Sequence, residues 1–128
     1  MIRMAWKLKG SPRLVTVTDA IFALGMPPGK YKLTDFEITV DEEKVTIADG
    51  TLAGSIVTQQ ESLRNLKKWT ECSLKDAVCT LTATPAVLLS LPNKGRIALG
   101  LDADFVLIHK NINIKATIVG GKILFKDF

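Results

Sequence analysis

Few side chains in this chain could do chemistry, and the first of them closes a strand-like run. The stretch RLVTVTDA, Arg13 to Ala20, carries Leu14, Val15 and Val17 in the apolar pattern of a buried parallel strand and stops at Thr18 and Asp19. A carboxylate at a strand's mouth has two uses. It accepts hydrogen bonds from free backbone N–H groups and caps the turn that follows, or it faces a ligand and moves protons. The neighbouring residues leave both open. Farther along, Leu52, Ala53, Gly54 and Ser55 make a small-residue turn, where Gly54 lets the backbone approach something closely. Composition does not separate a plain loop from a ligand contact there. The remaining candidates are weaker. His109 stands alone among apolar strand residues, with no second histidine to share a metal. Cys72 and Cys79 are spaced neither as a CxxC redox pair nor as a zinc knuckle, and neither has a base in view. Glu42 and Glu43 sit in a turn and read as a solvated tip.

These residues need elements to hold them. The opening run Ile2 to Lys9 reads as a helix end, with Ile2, Ala5, Trp6 and Leu8 on one side and Gly10 as the stop. After Asp19, IFALGMPPGKYKL carries two prolines and two glycines and predicts an irregular loop with an apolar lining. Phe36, Ile38 and Val40 then alternate with Glu37 and Thr39, the chain turns through Asp41 to Lys44, and Val45 and Ile47 resume the pattern. That is a hairpin, closed by Asp49 and Gly50. Thr58 with Glu61 three residues on forms a capping box, and Leu63, Leu66 and Trp69 give the helix behind it a buried stripe. Ser73 opens a second helix along Leu74, Ala77, Val78 and Leu81, with Cys79 beside that stripe. Thr84 as N-cap and Pro85 in the first helical position predict a third, short helix. The last third changes character: DADFVLIHK, NINIKATIV (with Ile112, Ile114 and Ile118 alternating) and KILFKDF after Gly120-Gly121 predict an antiparallel meander.

Totals bound the rest. The 128 residues fit one domain on size, and 47% hydrophobic content is ample for a core. Seventeen Lys and Arg against thirteen Asp and Glu leave a net charge of +4, spread along the chain. With aromatics at only 6%, no basic patch with interleaved rings points to nucleic acid. No run reaches a membrane-spanning length, the N-terminus lacks the apolar stretch of a signal peptide, and two cysteines suit reduced thiols. A cytoplasmic protein is expected.

Taken together, LVTVTDAIFALGMPPGKYKL, ADGTLAGSIVT, LRNLKKWTECSLKDAV, TATPAVLLSLPNKGRIALGLDADFVLI and KATIVGGK resemble the C-terminal part of the N-acetylglucosamine-6-phosphate deacetylases, from about Lys7 to the end. The GRIALGLDADFVLI tail alone is less specific, since other amidohydrolases carry a similar segment. The resemblance implies a metal-dependent hydrolase on a (β/α) barrel with a small β-sandwich appended. It implies that Asp19 matches the aspartate ending the last barrel strand, the general base and acid that takes a proton from a metal-bound water and passes it to the leaving amine. Leu52, Ala53, Gly54 and Ser55 match the substrate-contacting turn. A divalent metal of the zinc or iron class and the substrate N-acetylglucosamine 6-phosphate are implied for the parent enzyme, together with a homo-oligomer.

Nothing in this chain corresponds to the family's metal ligands, a glutamate and two histidines, or to the groups that orient the substrate and hold its phosphate. A whole barrel needs about 250 residues. The expected fold is therefore α+β, with residues 1–93 the C-terminal piece of the barrel (last strand, hairpin, helices) and 94–128 antiparallel strands of the sandwich. Alone, the chain is expected to bind no metal and to be inactive. Two alternatives stand beside this reading: a non-catalytic binding or assembly module in which Asp19 only caps, and a piece of a different amidohydrolase.

Overall fold

In the computed structural model, which describes all residues from Met1 to Phe128, α-helices and two separate three-stranded antiparallel sheets make an α+β chain. The chain divides into two compact units, one formed by Val17–Ser62 and the other by Met1–Thr16 with Leu63–Phe128.

Within 17–62 the strands are β1 (Gly29–Leu33), β2 (Phe36–Val40) and β3 (Val45–Ile47), in the order β1-β2-β3. The hairpin predicted by alternation is β2–β3, with Val40 opposite Val45. Its tip is set by Asp41, whose Oδ1 accepts from the amides of Glu43 and Lys44 at 2.8 Å each. Ile38, Val40 and Val45 are buried with Ala23, and Ile21, Tyr31, Leu33, Ile47, Ala53 and Ile56 pack round them. Full burial of a side chain such as Ile38 or Val45 is worth about 1.5–3 kcal/mol, enough to fix the register of so short a hairpin. Phe36, placed on the buried face by its spacing, is exposed because it lies at the strand's end.

Two expectations fail in and beside this unit. The loop expected over Ile21–Leu33 holds β1 in its last five residues: the prolines stop at Pro28, so the following backbone is free to pair with β2 from Gly29 onward. Conversely, Leu14 to Val17 forms no laddered strand. Leu14 is extended, but no strand lies alongside it, and Val17 is 70% exposed. The run is held at single points, as where the Thr16 amide donates to the Thr80 carbonyl at 3.1 Å.

The other unit is built on helices. α1 (Ile2–Lys9) ends at Gly10 as expected, although Ile2 and Leu8 are exposed. α2 (Gln59–Thr70) starts on the predicted capping box: Thr58 Oγ1 accepts from the Glu61 amide at 3.1 Å, and the Thr58 amide donates to Glu61 Oε2 at 2.8 Å. Leu63 and Leu66 are buried with Ala77 and Ile112, and Trp6, Leu14, Cys72, Val78 and Leu81 pack against them. Trp69 is exposed, as is Leu74, so the buried stripes of α2 and α3 (Leu74–Cys79) are narrower than their spacing suggests. Ser73 caps α3 by accepting from the Asp76 amide. α4 runs Ala83–Leu88 with Thr82 as N-cap, two residues earlier than expected. Thr84 is instead inside the helix, its hydroxyl donating to the Ser11 carbonyl at 2.7 Å. Pro85 costs nothing there, because the amides of a first turn have no helical acceptor.

The meander is as predicted in order and type: β4 (Phe105–Ile108), β5 (Ile114–Val119) and β6 (Lys122–Lys126), with Gly120-Gly121 at the second turn. Ile112 is the exception. It sits in the β4–β5 connection at φ 58°, buried with the helices rather than alternating along a strand.

Candidate functional site

Asp19 lies at the end of the extended run with φ 53°, in the left-handed region that an aspartate tolerates better than most side chains. It is exposed, and its carboxylate makes no hydrogen bond or ion pair. The turn that a capping carboxylate would serve is served otherwise: the Ala20 amide donates to Thr18 Oγ1 at 3.2 Å, and the Leu24 and Met26 amides donate to the Ile21 and Ala23 carbonyls. The side chain is free for a partner outside the chain.

Its backbone is held by the predicted small-residue turn. The Ser55 amide donates to the Asp19 carbonyl at 2.9 Å, the Ile21 amide donates to the Ser55 carbonyl at 3.0 Å, and Ala20 and Ser55 thus form a parallel bridge. Ser55 Oγ donates to the Thr18 carbonyl and accepts from the Val57 amide at 3.2 Å. Gly54, at φ 82°, packs so closely that a Cβ would stand 2.5 Å from Ile21 Cγ2 and 3.2 Å from the Asp19 carbonyl oxygen. Residues thirty-five positions apart are therefore one local structure. Leu52 and Ala53 belong to the same stretch but serve it differently. Leu52 bridges Thr46 and leaves its side chain 67% exposed, whereas the Ala53 amide donates to the Val45 carbonyl and its methyl packs on the core. Thr18 and Ile21 are parts of this arrangement that their residue types did not announce. Only the Thr-Asp pair at the end of an apolar run hinted at the first.

A metal does not fit these residues alone. No three His, Cys, Asp or Glu side chains converge anywhere in the chain. His109 is exposed just beyond β4, Cys72 and Cys79 are free thiols, and Glu42 and Glu43 are exposed at the hairpin tip. No helix is long and apolar enough to cross a membrane.

The amidohydrolase family model matches residues 13–124. The N-acetylglucosamine-6-phosphate deacetylase of Lysinibacillus sphaericus is 37% identical over 122 residues, which are 95% of this chain and 32% of that protein. The crystal structure of the Thermotoga maritima N-acetylglucosamine-6-phosphate deacetylase superposes with a TM-score of 0.94 at 34% identity, over 99% of this chain and 35% of that one. A Mycobacterium smegmatis deacetylase, an aspartate-to-alanine mutant in complex with N-acetyl-D-glucosamine-6-phosphate, superposes at 0.86 with 29% identity over 94% of this chain and 33% of that one. The chain thus spans about a third of the length of the relatives it matches.

Proposed function

Since the chain belongs to the amidohydrolase family, we propose that it is the C-terminal part of an N-acetylglucosamine-6-phosphate deacetylase, with Asp19 as the group that carries the proton. The observation that carries the reading is the placement of Asp19: an exposed carboxylate without a partner, on left-handed backbone, beside the Gly54-Ser55 turn. Backbone in that region is strained for a residue other than glycine and collects at functional sites. The likeness to deacetylases extends over nearly the whole of this chain and supports the choice of reaction.

In this reading the Asp19 carboxylate accepts a proton from the attacking water as its oxygen adds to the acetamide carbonyl. It then returns the proton to the nitrogen as the C–N bond breaks, which leaves acetate and glucosamine 6-phosphate. Leu52 to Ser55 line the substrate. The parent enzyme's divalent metal, of the zinc or iron class, supplies Lewis acidity when bound, and its ligands must come from residues other than those of this chain. Residues 1–93 then close the barrel and 94–128 belong to the sandwich. Free cysteines agree with a cytoplasmic location.

The test joins this chain to the preceding two thirds of the Thermotoga maritima relative and follows acetate release. Asp19→Asn is expected to lower kcat by about a hundred- to ten-thousand-fold with KM little changed, the range of a lost general acid–base group. A rate near that of the parent chimera overturns the assignment.

A further inference from the structure

Building on the reading of Asp19 as the proton carrier, we infer that Gly54 and Ser55 are positioning residues that hold the Asp19 backbone left-handed and thereby aim its carboxylate. No contact of the carboxylate itself holds it, so what the structure fixes is the main chain, which sets the direction of the Cα–Cβ bond that carries it. That main chain is gripped from one side. Ser55 takes the Asp19 carbonyl through its amide, the Ile21 amide through its carbonyl and the Thr18 carbonyl through its hydroxyl. Three bonds from one half-buried residue thus fix both flanks of a single exposed one. The hydroxyl is held in turn by the Val57 amide at 3.2 Å. Gly54 completes the grip by having no side chain: a Cβ at 2.5 Å from Ile21 Cγ2 and 3.2 Å from the Asp19 oxygen would push against Ile21 and Asp19, two of the residues that Ser55 holds.

This differs from a substrate contact in what it changes. A contact made equally in ground and transition states moves KM, whereas a misaimed proton carrier lowers kcat. Displacement of a reacting group by about an ångström is worth about a hundredfold in rate.

The first measurement is made on the 128-residue chain with labelled aspartate, comparing the Asp19 Cα and Cβ chemical shifts, which report φ and ψ in dissolved or associated samples alike. Ser55→Ala and Gly54→Ala are expected to move these shifts from left-handed towards extended values, and Ser55→Thr, which keeps the hydroxyl, to leave them in place. Unchanged Asp19 shifts in both of the first two variants overturn the proposal. In the chimera, Ser55→Ala, which removes the hydroxyl bonded to Thr18 and leaves the backbone of the turn to line the substrate, is expected to lower kcat about tenfold to a hundredfold with KM little changed, with Ser55→Thr restoring most of it. A raised KM at unchanged kcat also overturns it, and makes the turn a substrate contact only. Asp19→Asn run alongside keeps the two ideas apart: full activity there removes the proton carrier, whereas loss there with active Ser55→Ala and Gly54→Ala removes only the positioning.

Discussion

At the scale of single residues, capping and catalysis make opposite demands on a carboxylate or hydroxyl, and the chain contains both kinds. Thr58 and Ser73 have side-chain oxygens bonded to first-turn amides, so either change to alanine is expected to cost about 1 kcal/mol in chemical denaturation. Asp19 has no such bond. Asp19→Asn keeps a residue that tolerates left-handed backbone, and its unfolding free energy should stay within about 0.5 kcal/mol of the parent. A loss near that of Ser73→Ala would return Asp19 to the part of a cap. The two caps were legible in the sequence because a capping box is a local pattern, complete within four residues. The state of the Asp19 carboxylate was not, because it depends on Ser55 and Thr18 taking over the bonds a cap would have made.

Elements show the same division between local and distant causes. The β4–β5–β6 meander and the β2–β3 hairpin could be read from alternation and turn residues alone, and their order is as expected. The run Leu14–Val17 has the composition of a strand but lacks the neighbours that would make it one, which no periodicity within the run can reveal. Ile112 departs from its alternation because Arg64 holds the connection around it: Nε donates to the Asn111 carbonyl at 3.3 Å, and one terminal nitrogen donates to the Ile112 carbonyl at 3.2 Å and to Asn113 Oδ1. Left-handed backbone at a β-branched residue is an outlier that such a clamp must sustain. Arg64→Met retains the stem and removes the donors, and is expected to destabilise the chain by about 1.5–3 kcal/mol, as hydrogen bonds from a charged group are worth, measured as a lowered denaturation midpoint.

The loops carry a pH dependence of their own. Backbone amides of Glu43 and Lys44 hold the Asp41 carboxyl below its ordinary range, the Thr51 amide does so for Asp49, and the Lys94 ammonium followed by the Gly120 amide does so for Asp104. The folded state therefore binds these protons less readily than the unfolded chain. Their stabilisation is present above about pH 4 and is lost as the pH falls through the lowered folded values. Lys94, raised first by Asp102 and then by Asp104, behaves in the opposite sense: its contribution is complete below about pH 10.4 and is lost as pH rises through its higher folded value. Melting temperature should fall below pH 4, and Asp104→Asn should flatten that fall. A parallel fall in the variant would show that the contacts of Asp104 with Lys94 and Gly120 contribute nothing to it.

For the whole molecule, the apolar side chains left uncovered argue for association. Along α4 and just beyond it Val87, Leu88 and Leu89 are 76%, 71% and 65% exposed. Every residue of β6 is exposed, and the register shift against β5 sets Phe125 opposite Thr117 and Ile123 opposite Ile118, so that these two apolar residues lie on opposite faces. A strand wet and apolar on both faces at the edge of a sheet offers unpaired N–H and C=O groups to another chain, and its flanking Lys122 and Lys126 guard only the ends. In the proposed parent the remaining two thirds of the enzyme is expected to cover these surfaces. On its own, the chain should bury them against further copies of itself, since apolar patches beyond a few hundred Å2 rarely stay open on a monomer. Light scattering across a dilution series is expected to show dimers or larger species that dissociate as the concentration falls, and Leu124→Lys with Val87→Lys should shift the balance towards monomer. The same samples should release no acetate from N-acetylglucosamine 6-phosphate with added zinc or iron(II), because three converging ligands are lacking. A monodisperse monomer that melts in one sharp step would instead favour a self-sufficient binding module over a piece of a larger deacetylase.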